Sequence, residues 1–81
     1  MKNTDEYFQE INHMRIGTSL YYDFSIRVIR ESFCYIIEVN GKAVTYGRAN
    51  YIAHCIKILI STLEMIEEVN YKWQIIHTKN Y

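Results

Sequence analysis

Phe33-Cys34-Tyr35-Ile36-Ile37-Glu38-Val39-Asn40-Gly41-Lys42-Ala43-Val44-Thr45-Tyr46 decides the fold. An apolar, alternating run stops at Asn40-Gly41 and returns as a second alternating run. Asn-Gly is the strongest short hairpin signal, because both central residues of a type I′ turn need positive φ, which Asn tolerates and Gly adopts freely. With those two as the loop, Val39 faces Lys42, Ile37 faces Val44 and Tyr35 faces Tyr46. Side chains alternate along a strand, so this register predicts one apolar face made of Phe33, Tyr35, Ile37, Val44 and Tyr46.

Upstream, Leu20 to Arg30 alternates in the same way, with Leu20, Tyr22, Phe24, Ile26 and Val28 on one side and Asp23, Ser25 and Arg27 on the other. Glu31 and Ser32 then predict a two-residue turn, pairing Val28 with Tyr35, Ile26 with Ile37 and Phe24 with Val39. The two hairpins put their apolar faces together, which predicts a three-stranded antiparallel meander. The opposite face is polar except for an island of Ile29, Cys34 and Ile36. Such an island is either ordinary surface scatter or a patch covered by the C-terminal tail, a second subunit or a target protein.

Helices flank the meander. Asn3 through Met14 reads as a helix with Asn3 and Glu6 in capping-box spacing, Tyr7, Phe8, Ile11 and Met14 on its apolar face, and Gly17 as its stop, with Ile16 turned inward. Asn50 is the expected cap of a main helix running to about Val69 across the buried sheet face. Ile52, Ile56, Leu59, Leu63 and Ile66 form its core stripe, and Tyr51, Cys55, Ile58, Met65 and Val69 a second one. That arc is wider than one sheet requires, so the first helix or a dimer mate should touch it. A break near Asn70 followed by a short strand through Trp73, Ile75 and His77, or an irregular tail, is expected to end the chain. The expected class is thus α+β, helix, three strands and helix, in one domain over residues 1–81.

Composition narrows the function. Nine basic residues balance nine acidic ones, which removes the electrostatic case for indiscriminate nucleic-acid or membrane-surface binding. The longest apolar run, Ile52 to Met65, carries His54, Lys57 and Glu64, so no membrane span is expected. No signal peptide is expected at the start, and Cys34 and Cys55 are expected as reduced, packed thiols of a cytoplasmic protein. His13, His54 and His77 show neither Cys-x-x-Cys nor His-x-x-x-His spacing with them, so no metal site is expected. Cys55 lacks an activating neighbour, Glu64 with Glu67 or Glu68 reads as a solvated helix end, and none of the three glycines sits in a phosphate-cradling motif. No enzyme and no cofactor are expected.

Eight tyrosines are the unusual feature of the composition. Tyrosine offers stiff contact area with a polar tip and is enriched at protein interfaces. The candidate partner-binding residues are Tyr7, Arg27, Ile29, Ile36, Arg48, Tyr51, Ile58, Met65 and Trp73. A chain of this size buries only about 60% of the surface its unfolded form exposes, which favours a homodimer.

The order helix, meander, long helix resembles a double-stranded RNA-binding domain over about residues 4 to 69. That resemblance implies phosphate contacts at the start of the last helix, where a lysine cluster is usual. This chain has Arg48-Ala49-Asn50-Tyr51 there, with only Lys57 following, so nucleic acid is the alternative partner. In size, charge balance, topology and lack of a catalytic motif the chain also looks like phage-encoded anti-defence inhibitors, including anti-CRISPR proteins. This second resemblance implies a protein that occupies a surface of a bacterial immune effector in the host cytoplasm. An oligomeric sponge for a signalling nucleotide is a further alternative, for which Thr45, Tyr46 and Arg48 are the available cluster.

Overall fold

The computed structural model describes residues 2–23 and 25–78, with side chains described as far as residue 67. Its elements are α1 (Thr4–Asn12), β1 (Ser19–Tyr21), β2 (Ile26–Arg30), β3 (Tyr35–Val39), β4 (Lys42–Gly47) and α2 (Ala49–Thr78). The fold is α+β, as expected, with four antiparallel strands in the order β1-β2-β3-β4 rather than three. Both helices lie on one face of this sheet.

The fourth strand comes from the segment read as one long strand. Leu20 to Arg30 folds back on itself near Asp23, whose carbonyl accepts from the Ile26 amide at 3.3 Å, while the Tyr22 amide donates to the Ile26 carbonyl at 3.0 Å. The Asp23 carboxylate also accepts from the Ser25 amide at 3.4 Å, a local turn that an Asx side chain favours. Leu20 pairs with Val28 in the resulting hairpin, so both keep the face that alternation assigned them. The pairing expected for Phe24 lies outside the described residues.

Between β2 and β3 the turn is longer than two residues. Glu31 donates its amide to the Cys34 carbonyl at 2.8 Å, and Val28 pairs with Ile37 and Ile26 with Val39. The register differs from the expected one by two residues, so the apolar faces stay together. Phe33, expected in the core, sits in this turn and is 97% exposed. At Asn40 (φ 53°) and Gly41 (φ 79°) the turn has the positive φ values expected of it, and Val39 pairs with Lys42. The ladder then breaks: Glu38 pairs with Ala43, but Ile37 pairs with Thr45 and Ile36 with Tyr46. Val44 is therefore the extra residue of a β-bulge, and from there on the faces exchange. Thr45 points at the helices, whereas Val44 and Tyr46, expected inside, are 55% and 74% exposed.

The start of α2 supplies the reason. A Cβ added to Gly47 would stand 2.7 Å from the Tyr51 ring, and the Thr45 and Tyr51 hydroxyls lie 3.1 Å apart. Beneath that helix end only small residues fit inward, and the bulge delivers Thr45 and Gly47 to the tight side.

α1 is capped as its sequence predicts: the Glu6 amide donates to Asn3 Oδ1 at 2.9 Å and the Asn3 amide to Glu6 Oε1 at 3.1 Å. Tyr7 and Ile11 are buried, and Phe8 and Met14 pack beside them; Ile16 is exposed rather than turned inward. The Gly17 amide donates to the Arg30 carbonyl at 2.7 Å and the Arg30 amide to the Thr18 carbonyl at 2.9 Å, which ties the exit of α1 to the end of β2. α2 begins at Ala49, the Ile52 amide donating to the Arg48 carbonyl at 3.0 Å, so Asn50 lies inside the helix and does not cap it. Ile52, Ala53 and Ile56 are buried against Ile26, Val28, Tyr35 and Ile37, with Leu59 and Leu63 partly covered. Ile66, assigned to the core stripe, is 50% exposed because it lies past the described cover.

The expected break at Asn70, and with it the C-terminal strand or irregular tail, is replaced by continued helix to Thr78. No glycine or proline follows Gly47 to stop it. Thirty residues make a rod of about 45 Å, which accounts for extents of 56 × 25 × 15 Å.

Candidate functional site

The uncovered side of the sheet carries two rows of side chains that cross all four strands. Register places Ser19, Ile29, Ile36 and Tyr46 side by side in one row, and Tyr21, Arg27, Glu38 and Ala43 in the next. Alternation along β2 and β3 turns Ile29 and Ile36 outward whenever Val28 and Ile37 turn inward. The bulge adds Val44 and Tyr46 to the same side.

The second row neutralises its own charges. Arg27 donates from Nε to Glu38 Oε1 at 2.7 Å and from Nη1 to the Tyr21 hydroxyl at 3.5 Å, with the guanidinium 6.0 Å from the Tyr21 ring centre. The hydrogen bond to Glu38 raises the Arg27 pKa above its ordinary value, so the guanidinium stays charged. Beside it, Cys34, Ile36, Ala43, Val44, Thr45 and Tyr46 line a largely apolar depression of about 400 Å³. Ile29 stands opposite Ile36 and Ile36 opposite Tyr46, the cross-strand neighbours through which a sheet face is stabilised. The depression offers shape and apolar area, with the free thiol of Cys34 in its lining. Among the described residues no three His, Cys, Asp or Glu side chains gather as metal ligands, and both cysteines are free thiols.

The candidate residues separate into distinct places. Ile29, Ile36 and Arg27 come together on the outer sheet face. Tyr7 does not belong to a binding surface: it is 4% exposed and packs edge to face on Tyr22, ring centres 5.5 Å apart, because its position on α1 turns it toward the core. Burial raises its pKa. Tyr51 lies at the start of α2, resting on Gly47, and Arg48 precedes it. Ile58 and Met65, 53% and 66% exposed, form a separate stripe on α2. The side chain of Trp73 lies outside the described ones. Val44, Tyr46 and Phe33, like Ile16 and Ile66, are surface residues that pattern reading places inside. The small inward residues Thr45 and Gly47, beside bulky Tyr51, are the only trace of the bulge in the sequence.

No family model matches the chain, and neither a curated protein nor a solved structure matches it. No described helix is long and apolar enough to cross a membrane.

Proposed function

We propose that the chain is a non-catalytic protein-binding module that works by covering a surface of its partner, in the manner of a small inhibitor of a bacterial immune effector. The observation that carries this reading is the one-sided sheet: two helices seal one face, and on the other half-buried Ile29 and Ile36 adjoin exposed Val44 and Tyr46 in one apolar patch. A patch of this kind on a small protein is characteristic of an interaction site. The charges in the neighbouring row, Arg27 and Glu38, satisfy each other, so the matching surface is apolar and close to neutral. The open edge of β4 is a poorer site for an added strand, since a bulge twists an edge away from pairing. The exposed stripe of Ile58 and Met65 is the corresponding surface for a second copy of the chain, with which the module would act as a cytoplasmic homodimer.

Capture from bacterial lysate with the wild-type chain, Ile36→Glu and Ile58→Glu tests the reading. A protein retained by wild type and by Ile58→Glu but lost with Ile36→Glu supports it. Retention of the same proteins by all three baits contradicts it.

A further inference from the structure

A second feature lies on the helix side, where the end of α1, the β2–β3 turn and the start of α2 converge around an open cleft of about 490 Å³. Two arginines line it and no acidic residue does. Arg48 makes no ion pair or side-chain hydrogen bond among the described residues. Arg30 lays its guanidinium over the Tyr35 ring at 4.5 Å, and its Nε, shielded from solvent, has no acceptor among the described residues. An N–H donor in that position lacks the partner that buried polar groups normally have.

Two further observations bear on what would complete the cleft. α2 opens here with Ala49 and Asn50 and has no acid in its first turn, so the positive end of its dipole is uncompensated. On the rim, Phe33 is 97% exposed, a large aromatic surface left in water at the tip of a turn. The donors ask for an anion with several oxygens, since guanidinium groups and helix-start amides suit phosphate. The ring asks for a flat partner, and base stacking on an exposed aromatic is sequence-tolerant and strong. The asparagines on the wall, Asn12 and Asn50, each offer both a donor and an acceptor.

From these we infer that the cleft binds a nucleoside phosphate, with its phosphate between Arg30, Arg48 and the start of α2 and its base against Phe33. The cleft volume is within the range of small-ligand sites. A free nucleotide and a nucleotide unit within a single strand share this chemistry. The site is separate from the outer sheet face and stands or falls without it.

Calorimetric titration of the full chain tests the inference with four probes: ADP, adenosine, inorganic phosphate and a ten-nucleotide single-stranded oligonucleotide. ADP should bind at least about tenfold more tightly than adenosine or phosphate alone, because both halves of the site contribute. An oligonucleotide more than about tenfold tighter than ADP identifies a strand as the source; otherwise the source is the free nucleotide. Arg48→Gln and Phe33→Ser alter exposed side chains and leave the core intact. Arg48→Gln should weaken ADP about tenfold or more, and Phe33→Ser about fivefold or more, the low end of what one stacked base contributes. Ile36→Glu should leave ADP affinity unchanged. Three results overturn the inference: no heat with ADP or oligonucleotide at millimolar concentration, phosphate alone binding as well as ADP, or either cleft variant binding ADP like wild type.

Discussion

The two hairpins that share β3 depart from simple pairing in different ways. At Glu31 to Cys34 the register moves by two residues; every paired side chain keeps its face, and only Phe33, now in the turn, leaves the core face assigned to it. At Asn40-Gly41 the turn itself has the expected geometry, yet one extra residue at Val44 sends Val44 and Tyr46 out and Thr45 in. The lesson concerns parity. Because strand side chains repeat every two residues, a two-residue slip is silent and a one-residue bulge rewrites a surface. The bulge adds Val44 and Tyr46 to the outer apolar patch that Ile29 and Ile36 begin.

The sharpest way to break this comparison is to substitute neighbours on opposite faces. Ile37 is fully buried and Ile36 is on the outer side; Ile37→Ala should cost about 2 to 5 kcal/mol in urea unfolding, and Ile36→Ala less than about 1 kcal/mol. Equal losses would show that both sheet faces are sealed. The turn comes next. No atom lies within 4 Å of a Cβ added at Gly41, so the cost of Gly41→Val, about 1 to 2 kcal/mol in the same assay, comes from its positive φ alone. Unchanged stability would move the hairpin elsewhere.

Deleting Val44 addresses the bulge. Glu38 with Ala43 and Ile37 with Thr45 would then form one regular ladder with every remaining face preserved. Stability should change by less than about 1 kcal/mol in thermal melts, whereas a chain with no bulge would have its last strand residues inverted and would lose the fold. The smallest effect is in the third hairpin. The Tyr22 hydroxyl is buried without a partner among the described residues, and burial raises its pKa far above the ordinary phenol value. An unfolded tyrosine ionises near pH ~10. Above that pH the unfolded chain releases this proton while the folded chain holds it, so the stabilisation present below pH ~10 is lost as pH rises. Tyr22→Phe should be close to neutral at pH 7 and should lose less stability than wild type between about pH 9.5 and 11. Parallel pH curves for the two proteins would contradict the buried hydroxyl.

Elements carried by local chemistry were legible in the chain. The Asn3–Glu6 box, the Asn40-Gly41 turn and the Ile52, Ile56 stripe act through near neighbours, and each is where the residues place it. Features set by tertiary fit were not. The fold-back at Asp23 leaves the period-two pattern of Leu20 to Arg30 unbroken, since Leu20 and Val28 share a face either way. The bulge answers to crowding between Gly47 and Tyr51, a contact visible only once α2 lies over β4. Asn70 looked like a stop, but a helix without glycine or proline has little reason to end there. Of the candidate site, Ile29 and Ile36 could be read from alternation; Val44 and Tyr46 could not.

Under the proposed function, a partner protein docks on the outer sheet face and not along α2. Hydroxyl-radical footprinting of the chain, alone and with a captured partner, separates the two surfaces, since Tyr46 and Met65 are both oxidisable and are 74% and 66% exposed. Strong protection of Tyr46 with Met65 oxidised as before is the result the account predicts. Protection of Met65 with Tyr46 unchanged would contradict it.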